Sequence, residues 1–144
     1  MRLTTILAGA LALGAAQAAF AEGDPAAGEK AFRKCQACHQ IGAEAQNKTG
    51  PVLTGVIGRP AASIEGFSYS KTLTEAAADG LVWDHAALET FLANPRKAMP
   101  GTKMAFPGIK KPQELADILA YLDTFSDGET REAEETPAAA PAEG

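Results

Sequence analysis

The chain is predicted to fold as an all-α domain of several short helices tied by long loops. Three observations carry that prediction. Leu115, Ile118, Leu119 and Leu122 recur at i, i+3, i+4 and i+7, an inward stripe of one helix. Ser, Asp and Pro residues stand where helices begin and end. No stretch shows a convincing strand alternation. Long loops in a small domain need something to pack against. The run Cys35-Gln36-Ala37-Cys38-His39 points to what that is.

The elements follow in order. Residues 1–21 read as a secretory signal peptide: Arg2 is the positive start, Leu3 to Leu13 the apolar stretch, and Ala19-Phe20-Ala21 the cleavage pattern. Ala16-Gln17-Ala18 is a second cleavage candidate. The apolar run is too short to span a bilayer comfortably. Asp24 is an N-cap and Pro25 suits a first helical position, so a helix runs from Ala26 to about Lys34 with Phe32 facing inward. From Gln40 to Arg59 a Gly-rich connection turns at Thr49-Gly50-Pro51, Gly55 and Gly58. The stretch from Ile64 to Tyr69 reads as irregular loop. Ser70 caps a short helix ending near Gly80, and Asp84 caps another ending at Asn94, with Leu88, Phe91 and Leu92 on one face. Pro95 to Pro112 reads as a loop. The last helix starts around Pro112, and residues 22–126 make one domain. Residues 127–144 are an Ala-, Pro- and Glu-rich tail without large apolar side chains, read as disordered.

The 144-residue chain carries 13 basic and 18 acidic side chains, a net charge of −5, much of it in that tail. Nothing in this balance supports nucleic-acid binding.

C-x-x-C-H is the attachment pattern of c-type haem. Each thiol can add to one haem vinyl group, and His39 follows closely enough to reach the iron from the same side. Three other readings compete. A thioredoxin-like couple would sit in a βαβ unit, which is not visible. A zinc site would need His85 as its fourth ligand, an unusual arrangement. A plain disulfide suits an exported protein but leaves the adjacent histidine unexplained. The chain has only these 2 cysteines.

The second axial position separates electron transfer from open-site chemistry. Met99, Met104, His85 and the lysines are the candidates. Met104 sits in Pro100-Gly101-Thr102-Lys103-Met104, too polar a setting for core filler, whereas Met99 reads as filler. His85, in the first turn of a helix, reads as a surface residue.

These residues together resemble class I cytochrome c of the soluble bacterial type, similar to the mitochondrial protein. The resemblance runs through Gly28 to His39, Thr49-Gly50-Pro51-Val52-Leu53, Gly58-Arg59, Gly66-Phe67-Ser68-Tyr69-Ser70, Trp83, Asn94-Pro95, the Met104 loop and Ala120-Tyr121-Leu122. It implies the cytochrome c fold around one haem c attached through Cys35 and Cys38. It implies His39 and Met104 as iron ligands, with the Pro51 carbonyl bonded to His39. Arg59, Tyr69 and Trp83 would bind a haem propionate, and Thr102 a propionate or its own loop. Gly28 and Phe32 would pack against Ile118 and Tyr121. Phe91 departs from the tyrosine common in the family, and the stretch from Tyr69 to Trp83 is slightly longer.

The implied function is a soluble, monomeric one-electron carrier in the periplasm, not an enzyme. Its implied partners are a quinol–cytochrome c oxidoreductase and a terminal oxidase or photosynthetic reaction centre, met in transient peripheral contact. Lys34, Arg96, Lys97, Lys103, Lys110 and Lys111, with Arg33, would form a positive docking face. The alternative is an open-site haem peroxidase or small-gas sensor, which requires Met104 to be absent from the iron.

Overall fold

The computed structural model describes residues 22–126. The signal peptide expected at 1–21 and the tail expected at 127–144 lie outside the described residues. Five helices appear in order: α1 (Pro25–Phe32), α2 (Lys71–Ala78), α3 (His85–Ala93), α4 (Pro95–Ala98) and α5 (Pro112–Asp123). Among the described residues no strand forms. One isolated antiparallel bridge pairs Pro60 with Val82.

The caps behave as their chemistry requires. Asp24, Ser70 and Asp84 each accept a backbone N–H of the following first turn. This satisfies donors that a helix start leaves open. Helix α1 is shorter than expected: it ends at Phe32, and turns carry the chain on through Cys38. The expected loop after Asn94 also needs correction. Asn94 accepts from Lys97 N and caps α4, with Pro95 at its first position. Proline stops α3 and starts α4, because its fixed φ and missing N–H are costly inside a helix but harmless at its first residue.

Helices α1 and α5 cross and build the centre. Phe32 is 1% exposed and Ile118 2%. The Phe32 and Tyr121 rings lie 5.3 Å apart. At the crossing Gly28 has no room for a side chain: a β-carbon would stand 1.9 Å from Asp117 O and 2.7 Å from Tyr121 Cβ. Asp117 is buried on the same seam and accepts from Asp24 N and Gln113 Nε2, both at 2.8 Å. A buried carboxylate is tolerable only when so partnered. The core continues through Val56, Trp83, Leu88, Leu92, Ile109, Leu115, Leu119 and Leu122. Helix α2 buries no residue fully, although Leu73 and Ala77 pack against that core.

Candidate functional site

After α1 the chain winds through tight turns. Cys35 N bonds Phe32 O at 2.7 Å, and Cys35 O receives both Cys38 N (3.0 Å) and His39 N (2.8 Å). Both cysteines are free thiols. The Cys35 thiol is pushed up to about 11, chiefly by burial; Lys34 opposes the shift and Cys38 adds to it.

His39 is buried, and its Nδ1 lies 2.7 Å from the Pro51 carbonyl oxygen. A carbonyl can only accept, so Nδ1 carries the proton. The neutral ring then keeps its lone pair on Nε2, the atom that can bind a metal. Burial lowers the histidine pKa and outweighs the opposite pull of the Pro51 bond. Gly50 lies against the same ring, with room for no β-carbon: one would come 2.3 Å from Cε1. Backbone bonds tie this loop to the motif: Gly50 N to Cys38 O at 2.8 Å and Leu53 N to Gln40 O at 2.9 Å. Lys48 Nζ adds a bond to Gln36 O at 3.0 Å. The turn at Thr49-Gly50-Pro51 was legible, and the family resemblance implied the Pro51 bond to His39, but the close approach of Gly50 to the imidazole was not foreseen.

The methionine loop leaves α4. Thr102 N bonds Met99 O at 3.1 Å, and Met104 N donates to Thr102 Oγ1 at 3.2 Å. Thr102 thus has a loop role. Met99 and Met104 both pack, half-buried, against the central cluster, as does Cys35.

Arg59 and Trp83 come together: Trp83 N donates to Arg59 O at 2.9 Å beside the Pro60–Val82 bridge. The Arg59 guanidinium donates to Thr54 O and Val52 O, each at 3.0 Å. Trp83 is buried, and its ring centroid lies 5.1 Å from that of Phe91. Tyr69 belongs to another loop. Its hydroxyl accepts from Ile64 N at 3.2 Å, and its ring meets Phe67 edge-on at 4.8 Å.

The cations expected to form one face divide into two groups. Lys34 pairs with Glu114, Lys103 bonds Ser68, and Lys110 donates to Ala93 O. Arg33, Arg96, Lys97 and Lys111, exposed like the first three, make no side-chain hydrogen bond or ion pair among the described residues. His85 pairs with Asp123 at 2.7 Å, a surface contact. Among the described residues no group of three or more His, Cys, Asp and Glu is placed to hold a metal ion, so the zinc reading lacks its ligand set.

The donors present fit a haem. Two unpaired thiols stand three residues apart, and a neutral imidazole with its lone pair on Nε2 follows them. Leu53, Ile57, Leu73, Met104 and Phe106 are half-buried apolar side chains packed on one cluster. That surface suits a flat, largely apolar tetrapyrrole. Helices of this kind, with long loops and a thioether-forming motif, define a protein built around a covalent haem.

The comparisons agree. The family model described as Cytochrome c matches residues 25–126. Cytochrome c-554 of Methylosinus trichosporium is 46% identical over 130 residues, covering 90% of this chain and 96% of its own. Cytochrome c-550 of Ancylobacter novellus is 52% identical over 102 residues, covering 71% and 95%. The structure of cytochrome cH from Methylobacterium extorquens superposes with a TM-score of 0.65 at 48% identity, covering 71% of this chain and 99% of that one. The chain belongs to the cytochrome c family, as a class I bacterial member. It carries haem c bound through Cys35 and Cys38, and it is an electron carrier, not an enzyme.

Proposed function

We propose that this protein is a periplasmic shuttle whose iron is held by His39 Nε2 and Met104 Sδ. The observation that carries the reading is the His39–Pro51 hydrogen bond, which leaves Nε2 as the basic nitrogen beside two free thiols. Bound haem supplies a one-electron Fe(III)/Fe(II) couple. The residues of the chain do the rest. His39 is kept neutral and oriented by Pro51, as partners of metal-bound histidines do. The Met104 thioether favours the reduced metal and raises the potential. Apolar packing from Leu53, Ile57, Leu73 and Phe106 excludes water and disfavours the extra ferric charge. Arg59 and Trp83 on one side, with Tyr69 from the 66–70 loop, would hold the propionates, while Thr102 fixes the Met104 loop.

Residues 1–21 direct export and are removed. The donor is a quinol–cytochrome c oxidoreductase, and the acceptor a terminal oxidase or photosynthetic reaction centre. A monomer docks to each transiently, with Arg33, Arg96, Lys97 and Lys111 as its available cations.

Absorption spectroscopy of protein matured in an exporting host tests the ligand set. Wild type shows the weak sulfur-to-iron charge-transfer band of the ferric state and resists carbon monoxide when reduced. Met104→Ala lacks the band and takes up the gas. Identical spectra for the two would remove Met104 from the iron.

A further inference from the structure

We propose that the acidic run Glu132-Ala133-Glu134-Glu135 folds back onto the exposed cations Arg33, Arg96, Lys97 and Lys111 and covers them until an acidic partner displaces it. The proposal rests on those cations as the docking face.

Charge divides unevenly along the chain. Residues 22–126 carry 12 acidic and 11 basic side chains, net −1. Residues 127–144 carry six acids against Arg131, net −5, and three of the six fall in that four-residue run. The four cations make no side-chain hydrogen bond or ion pair among the described residues, whereas Lys34, Lys103 and Lys110 are each engaged.

The fold gathers these cations towards one end of α5. Lys111 is the residue before the helix. The Lys34–Glu114 pair places Arg33, the neighbour of Lys34, near the first turn. Lys110 Nζ bonds Ala93 O and Ile109 N bonds Leu92 O. These bonds hold residues 109–111 against the α3–α4 junction, next to Arg96 and Lys97. The tail leaves from the opposite end of α5. That exit is fixed, because Phe125 O accepts from Gly55 N at 3.1 Å and Asp123 pairs with His85. The negative end of the helix dipole disfavours acids that stay there.

The reach matches. Helix α5 has 12 residues, so it is about 18 Å long. Glu132 and Glu135 lie six and nine residues beyond Ser126. An extended chain covers roughly 3.3 Å per residue, so the run arrives about 20–30 Å away, at the far end of the helix. Each exposed pair is weak. Tethering offsets this, since a short linker holds the acids at millimolar effective concentration. An acidic partner must displace the run, which lowers association at low salt.

Zero-length carbodiimide cross-linking of the full mature holoprotein, read by mass spectrometry, tests the contact. Amide links from Glu132, Glu134 or Glu135 to Lys97 or Lys111 are expected in the monomer at low salt and are lost at about 0.5 M salt. Their absence at low salt, or their presence only in cross-linked dimers, overturns the proposal. Binding of soluble polyglutamate to the same holoprotein tests the consequence. The full-length triple variant Glu132→Gln, Glu134→Gln, Glu135→Gln is expected to bind about fivefold more tightly than wild type at low salt. Glu65→Gln, Glu75→Gln, Glu89→Gln, which changes the net charge equally, leaves the affinity near wild type. An equal gain from that second triple reduces the effect to overall charge and overturns the competition. Polyglutamate bound by no variant overturns the docking face instead, while the cross-links still decide whether the tail returns.

Discussion

Gly50 presses on the face of His39: its missing β-carbon would overlap the imidazole, 2.3 Å from Cε1 and 2.7 Å from Nδ1. With Pro51 O on the ring edge, two consecutive residues determine both where the ring stands and which nitrogen is protonated. Gly50→Ala must push the ring or the loop aside. The expected cost is about 2 kcal/mol by denaturant unfolding, with a lower yield of haem-loaded protein. Unchanged stability and yield would show that the loop yields freely.

Gly28 and Asp117 lock α1 on α5. Gly28→Ala brings a methyl against the Asp117 carbonyl, and backbone cannot step away cheaply. A loss of about 3 kcal/mol is expected in guanidinium melts. Asp117→Ala strips Asp24 N and Gln113 Nε2 of a buried acceptor and is expected to cost about 2 kcal/mol. A neutral result for both would mean that the crossing carries little of the stability.

Tyr121 on the same seam has its phenol pushed above the ordinary 10.0, first by burial and second by Glu29. The sign follows from linkage. Unfolding restores the ordinary value, so the unfolded chain loses the proton first. Stability is full below pH 10.0 and declines as pH rises towards the folded value. Glu29→Gln should lower the tyrosinate midpoint, read by ultraviolet titration in a Tyr69→Phe background. A midpoint unmoved by that change would exclude Glu29 as a contributor.

Docking charge should be concentrated in Arg33, Arg96, Lys97 and Lys111. Reversing Lys97 and Lys111 to Glu is expected to abolish the fall of association rate with salt, measured by stopped-flow against an acidic redox partner. A salt dependence equal to that of wild type would move the docking face elsewhere.

Much of the architecture was legible because it is local. The caps Asp24, Ser70 and Asp84 act within three residues of themselves, and the α5 stripe repeats within one helix. The haem motif is contiguous. Helix α4 is hidden in the sequence because Pro95 marks an ending as clearly as it marks a beginning. Long-range partners left no local trace: Lys34 meets Glu114 across 80 positions and Lys103 meets Ser68 across 35. These pairs divide a set of lysines that look alike in sequence. Asp117 did leave a signal, a carboxylate amid the apolar residues of α5, but its partner Asp24 N lies 93 positions away.

X-ray absorption at the iron of the native-matured ferric protein tests the central claim most directly. His39 and Met104 as ligands predict one sulfur in the first shell beside nitrogens of the porphyrin and imidazole, and loss of that sulfur in Met104→Ala. A first shell without sulfur, or one that keeps it in Met104→Ala, would contradict the account.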